Sequence, residues 1–128
     1  MVLDSSAILA VLLAEPGHNR LLQRISEAPM VAVGAPTVVE SAIVLSARIG
    51  RDARAELNEF LQEAEAEVIP FAAEHYNAAV DAFHRYGKGR HPAALNFGDC
   101  LAYAVASLAG LPLLFVGNDF SKTDIARA

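Results

Sequence analysis

The chain has 128 residues, 54% of them hydrophobic, with 8 Gly and 6 Pro. That is the length of one ordinary domain with a real core, and it excludes a disordered or low-complexity polypeptide. A formal net charge of −5 excludes nucleic-acid binding by overall charge, so any phosphate contact must come from a local basic patch or bound cations.

In chain order, Val2–Leu3 reads as a short strand, and Asp4-Ser5-Ser6 is helix-starting chemistry. A helix follows to about Glu15 and stops at Pro16-Gly17. His18–Glu27 reads as a second helix with Leu21, Leu22 and Ile25 on one face. "MVAVGAP" is a buried strand ending in a Gly/Pro loop. "PTVVESAIVLSARIG" is a helix with Pro36 near its start and Gly50 just past its end. In "RDARAELNEFLQEAEA", Leu57, Phe60, Leu61 and Ala64 have the spacing of one helix face. "EVIPF" is a third strand. "AAEHYNAAVDAFHRYG" is a helix with Tyr76, Val80 and Phe83 expected inward, and 87–96 is a loop. "FGDCLAYAVASLAG" is a helix, "LPLLFVG" an apolar strand, and "NDFSKTDIARA" ends the chain. Strands alternating with helices imply an α/β, three-layer fold: a mostly parallel sheet of about four to five strands, covered by helices on both faces.

Cys100 is the only cysteine, so no disulfide forms within the chain, which suits a reducing cytoplasm. "AILAVLLA" has the length of a signal-peptide core, but Asp4 precedes it and no Lys or Arg does, which argues against a signal peptide. No apolar run approaches the roughly 20 residues that span a bilayer, so no membrane role is expected.

The acids carry the functional signal. Asp4 follows the first strand and Asp119 the last, and ligands of open parallel sheets bind outside the carboxyl ends of strands. Glu40 lies early in the helix after the second strand. Asp99 opens the helix before the last strand, and it joins the others only if an extra helix returns the chain to that edge. Each acid also has a local reading. Asp4 suits an N-cap, Thr37-x-x-Glu40 matches a capping box, Asp99 suits a helix dipole, and Asp119 suits a turn. Taken together these readings weaken, because Glu40 sits among Val38, Val39, Ile43 and Val44, and Asp99 is flanked by Phe97, Cys100 and Leu101, where a core is expected. Carboxylates that converge without cations raise one another's pKa, and a hard divalent ion such as Mg2+ relieves the conflict. No Cys/His spacing suggests zinc.

The stretches "VLDSSAILAVLLAEP", "PTVVESAIVL", "YGKGRHPAALNFGDCLAYAVA" and "LLFVGNDFSKTDI" resemble PIN-domain ribonucleases, specifically the VapC toxins of type II toxin–antitoxin modules. The resemblance runs from the first strand to the last and implies one PIN domain over 1–128. It maps an acidic tetrad onto Asp4, Glu40, Asp99 and Asp119, as catalytic residues and metal ligands, with Ser6 and Asn118 supporting the site. It implies Mg2+-dependent hydrolysis of RNA phosphodiesters, with Mn2+ able to substitute, leaving 5′-phosphate and 3′-hydroxyl ends. It also implies a cognate VapB-type antitoxin, a homodimer within the toxin–antitoxin complex, and DNA contact only through the antitoxin. The apolar helices at 7–14 and 21–25 are candidates for the antitoxin groove, and equally for core.

No catalytic histidine is required, and His75 and His84 read as helix-surface residues. Asp124 reads as secondary or structural. Arg85, Lys88 and Arg90, in "HRYGKGRHP", are candidate RNA contacts on a loop leading to Asp99, with Arg20, Arg24 and Lys122 as alternatives. Two other classes compete: a phosphoacceptor receiver-like signalling domain, and a catalytically inactive PIN-like binding module. The receiver would need an aspartate at the end of a central strand, which "EVIPFAAE" does not supply.

Overall fold

A computed structural model describes residues 1–128. Four short strands form one parallel sheet: β1 (Val2–Leu3), β2 (Ala32–Gly34), β3 (Glu67–Ile69) and β4 (Leu113–Leu114), in the order β3-β2-β1-β4. Six α-helices surround it: α1 (Ser5–Leu12), α2 (His18–Glu27), α3 (Ala35–Ile49), α4 (Arg54–Glu63), α5 (Ala73–Tyr86) and α6 (Phe97–Ala109). The three-layer α/β reading holds, with four strands.

Strand alternation builds two cores. Val2 pairs in register with Ala32 and Leu113, and Leu3 with Val33 and Leu114. The first row packs with Ala82, Tyr86, Val105 and Phe115 under α5 and α6. The second packs with Ile8, Ile25, Leu57 and Phe60 under α1, α2 and α4. Successive side chains point to opposite faces, so two consecutive apolar residues per strand serve both layers. A fully buried leucine such as Leu3 or Leu114 contributes about 1.5–3 kcal/mol.

Helix ends follow their terminator residues. Gly50 and Gly110 close α3 and α6 at φ 75° and 66°, backbone that a side chain disfavours. The β4 edge is covered by the chain's own end: Leu113 N–H donates to Ala126 O (2.8 Å), and Ala128 N–H donates to Leu113 O (2.9 Å). No helix is long and apolar enough to cross a membrane.

The extra crossing that Asp99 requires exists. After α5 the chain folds back on itself: Leu95 N–H donates to Tyr86 O and Lys88 N–H to Leu95 O, both at 2.9 Å. α6 therefore starts afresh and leads into the start of β4, which sets Asp99 at the carboxyl edge.

Three expectations are corrected. On α5 the buried side chains are His75, Ala79, Ala82 and Tyr86, while Tyr76 (63% exposed), Val80 and Phe83 face outward. The inward stripe lies one position from the one expected, because small alanines pack closest to α6. His75 is accordingly buried: its Nδ1 accepts from Ala72 N–H at 3.0 Å, and its ring stands 5.2 Å from that of Phe71. On α3, Val39 and Ile43 are exposed, and Phe97 on α6 is 81% exposed, so these apolar neighbours of Glu40 and Asp99 are surface, while Cys100 is core as expected.

Candidate active site at the carboxyl edge of the sheet

Asp4 leaves β1 and caps α1. Its Oδ2 accepts from Ser6 N–H (3.0 Å) and from the Ser6 hydroxyl (2.5 Å), and the residue is 4% exposed. Ser6 Oγ also accepts from Val116 N–H at 3.0 Å, which ties the start of α1 to the segment that carries Asp119. Ser6 thus holds one oxygen of the Asp4 carboxylate and links it to that segment. Asn118 holds the following turn through its carbonyl, which accepts from Ser121 N–H at 3.2 Å. Asp119 itself is exposed at the start of a short 3-10 turn, Phe120–Lys122.

Glu40 does not close a capping box. α3 begins at Ala35 with Gly34 as its N-cap, and no side chain caps it. The Glu40 Oε1 instead accepts from the Ser5 hydroxyl, 35 residues away. Its Oε2 lies against Gly98, in the space that a Cβ at that position would fill. Ser5 and Gly98 are two site residues that the sequence did not single out. Ser5 read only as helix-starting chemistry, and a glycine beside a helix start carries no signal of what approaches it.

Asp99 shares a capping box with Asn96. Asn96 Oδ1 accepts from Asp99 N–H at 2.9 Å, and Asp99 Oδ2 accepts from Asn96 N–H at 3.0 Å. Asp99 stands in the first helical turn, as read from the sequence, and the bond back to Asn96 is an addition to that reading. Burial first, and then the charges of Asp4, Asp119 and Glu40, push the Asp99 carboxyl up to about 6. Burial also raises Asp4, with Glu40 adding to it and the Ser6 hydrogen bonds opposing it. So Asp99 feels the other three acids, and Asp4 feels Glu40. The only ion pairs in the molecule are Arg51–Glu56, Arg54–Asp52 and Arg85–Asp124, and none involves the tetrad.

Four carboxylates and a serine hydroxyl, without a cation of their own, fit a hard divalent ion in donor chemistry. As oriented, no three His, Cys, Asp or Glu side chains stand close enough together to chelate one. Binding an ion therefore requires the carboxylates to draw in from the arrangement seen here.

The basic residues take different roles. Lys88 and Arg90 are exposed on the loop before Asp99. Arg85 is already engaged: it pairs with Asp124 at 3.1 Å and lies over the Tyr86 ring, 4.8 Å from its centroid. Asp124 also accepts from Tyr103 Oη at 2.5 Å, which makes it a structural anchor for the chain end. Lys122 Nζ donates to Pro92 O at 3.3 Å.

A parallel sheet between helical layers, with acids gathered at its carboxyl edge, defines an α/β domain with an acidic site. Residues 1–126 match the PIN domain family. Ribonuclease VapC36 of Mycobacterium tuberculosis is 48% identical over 126 residues, 98% of this chain and 91% of the relative. Among solved structures, Mycobacterium tuberculosis VapC20, a Sarcin–Ricin loop cleaving toxin, superposes with a TM-score of 0.80 at 18% identity, covering 99% of this chain and 97% of that one. A toxin–antitoxin complex from Klebsiella pneumoniae contains a chain with a TM-score of 0.71 at 16% identity, covering 96% and 92%. The chain belongs to the PIN-domain family, among its VapC ribonucleases.

Proposed function

We propose that this VapC-type ribonuclease cleaves RNA at the carboxyl edge of its sheet, the whole chain working as one PIN domain. Asp4, Glu40, Asp99 and Asp119 would hold Mg2+, with Mn2+ able to substitute. The observation that carries this reading is electrostatic: burial and three other carboxylates raise Asp99 to about 6, and no Lys or Arg pairs with any of them.

A divalent cation bound there would make hydroxide available near neutral pH and supply positive charge for the phosphate oxygens. The chain's own residues prepare that site. Ser6 fixes Asp4 through two hydrogen bonds, and Ser5 fixes Glu40. The Asn96–Asp99 box sets Asp99 on the first turn of α6. Burial around Asp4 excludes water and strengthens every charge interaction there. Lys88 and Arg90 would meet RNA phosphates, with Arg85 contributing less because Asp124 holds it. Hydrolysis would leave 5′-phosphate and 3′-hydroxyl ends.

The toxin reading brings a VapB-type antitoxin as partner. The half-buried Val11 and Leu12 on α1 and the exposed Leu22 on α2 support an apolar helix as its docking element. A homodimer within that complex, DNA contact only through the antitoxin, and a cytoplasmic setting suited to the lone buried thiol of Cys100 complete the proposal. The receiver alternative lacks support, because residues 1–126 match the PIN domain family.

The test is RNA cleavage in metal-free buffer. Cleavage should stop with excess EDTA and return with Mg2+ or Mn2+; undiminished cleavage under chelation overturns the proposal.

A further inference from the structure

Residues 126–128 run beside β4 and are anchored there. Leu113 N–H donates to Ala126 O, Ala128 N–H donates to Leu113 O, and Arg24 Nη1 on α2 donates to Ala128 O at 2.5 Å. Between these anchors Arg127 reaches Phe115, the residue that follows β4 at the carboxyl edge. Its guanidinium lies 4.5 Å from the centroid of the Phe115 ring, and its Nη2 donates to Phe115 O at 3.4 Å. The ring is a fixed platform: Phe115 is 1% exposed and stands 5.2 Å from the ring of Phe120. Arg127 forms no ion pair, so these two contacts are what hold its charge.

The Phe115 carbonyl shares one peptide unit with Val116 N–H, and that N–H donates to Ser6 Oγ at 3.0 Å. Because Ser6 Oγ already accepts there, its own proton is directed to Asp4 Oδ2, at 2.5 Å. Guanidinium, peptide, hydroxyl and carboxylate are therefore joined head to tail, each donor pointing toward Asp4. Hydrogen bonds in such a row polarise and strengthen one another. A guanidinium suits the first place, since it can stack on a ring while donating to a carbonyl.

The geometry points to Arg127 as a positioning residue for the acidic site, acting through the Phe115–Val116 peptide on Ser6 and through Ser6 on Asp4. This deepens the ribonuclease reading above and rests on it. Arg127 touches no carboxylate of the site, so its removal changes how Asp4 is held and takes no metal ligand away.

The experiment is a double-mutant cycle of Arg127→Ala and Ser6→Ala on the full chain. Mn2+ alone is titrated by calorimetry, and amide hydrogen exchange is followed without divalent ions. Arg127→Ala should weaken Mn2+ binding about 3- to 10-fold, less than loss of a direct partner of a ligand, because it acts one bond further away. In the Ser6→Ala background the same change should cost less than about twofold, since the row is already cut. The Val116 amide should exchange faster in Arg127→Ala, while the Leu113 amide, which reports whether residues 126–128 stay on β4, should not. For an RNA that the unaltered chain cleaves, kcat should fall with KM unchanged. The inference is overturned if Mn2+ affinity is unaltered, if the cost is the same with and without Ser6, or if the Val116 amide keeps its rate. It is equally overturned if Leu113 and Val116 speed up together, because Arg127 then only holds the strand edge. A raised KM with a flatter salt dependence and intact kcat would also overturn it, making Arg127 a phosphate contact. If the unaltered chain cleaves no RNA in Mn2+, the ribonuclease reading fails, while Mn2+ affinity and exchange still decide the role of Arg127.

Discussion

The carboxylate of Glu40 rests on the backbone of Gly98: its Oε2 occupies the space that a Cβ on Gly98 would need. This contact couples α3 to the first turn of α6, one residue from Asp99. The atom that a new methyl would meet is the end of a flexible side chain, so the helix can accept alanine while Glu40 is displaced. Alanine is also the better helix former, by up to about 1 kcal/mol. Gly98→Ala should therefore keep or slightly raise the melting temperature and lower cleavage about 10- to 100-fold, the usual effect of disturbing a group that orients a metal ligand. Melting curves and cleavage rates at saturating Mg2+ check this; a wild-type rate would mean that the position of Glu40 is immaterial.

The mutual repulsion of the acids has a pH signature. Asp99 is raised to about 6, and Asp4 is raised as well, so the folded chain holds protons that the unfolded chain releases near pH 4. Their contribution to stability is full below the unfolded pKa and is lost as pH rises through about 6. Asp52, Glu56 and Asp124 are lowered by hydrogen bonds and basic partners and act in the opposite sense. The informative quantity is therefore wild type minus Asp99→Asn, which keeps an acceptor for Asn96 N–H. Without divalent ions, the wild type should lose melting temperature relative to the variant between about pH 5 and about pH 7.5. Mg2+ should restore it in the wild type more than in Asp99→Asn. A flat difference across that range would show that the charges do not converge.

Much of this was legible before the fold. Two-residue apolar strands, Pro36 and the closing glycines marked most elements, and acids after Leu3 and Leu114 pointed to one sheet edge. The double role of Asp4 and Asp99 was half legible: Asp4 caps α1 and Asp99 stands in the first turn of α6, as their positions suggested, and each is also part of the acidic cluster. Periodicity failed on α5 and α3. It finds an apolar stripe but not what covers it, and Tyr76, Phe83, Val39 and Ile43 form a stripe with nothing over it. The Ser5–Glu40 bond and the Gly98 contact were illegible, because each joins segments that only the sheet order brings together.

Asp124 separates structure from chemistry. It accepts from Tyr103 Oη and pairs with Arg85, away from the tetrad. Asp124→Ala leaves a partly buried hydroxyl without its acceptor, at about 1–3 kcal/mol. Arg85→Ala loses an ion pair that solvent screens, so its cost is small. Denaturant melts should rank Asp124→Ala clearly below Arg85→Ala, with cleavage per folded molecule unchanged in Asp124→Ala. Loss of cleavage with stability intact would bring Asp124 into the site.

Lys88 and Arg90 test where RNA phosphates are met. Both are exposed on the loop before Asp99, and neither forms an ion pair, whereas Arg85 is held by Asp124. With a net charge of −5, local cations must offset the field that repels RNA. For every phosphate left without its cation, the log–log salt dependence of single-stranded RNA binding should become shallower by about 0.7. Lys88→Ala with Arg90→Ala should therefore weaken RNA binding and flatten its salt slope, while leaving divalent-ion affinity almost unchanged, because no carboxylate is removed. A salt series on the Asp119→Asn protein, which does not cleave, measures both affinity and slope. Adding Arg85→Ala should change the slope less than either loop residue does, since its guanidinium is shared with Asp124. An unchanged affinity and slope in the double variant would move the phosphate contacts elsewhere, with Arg20, Arg24 and Lys122 the next cations to replace.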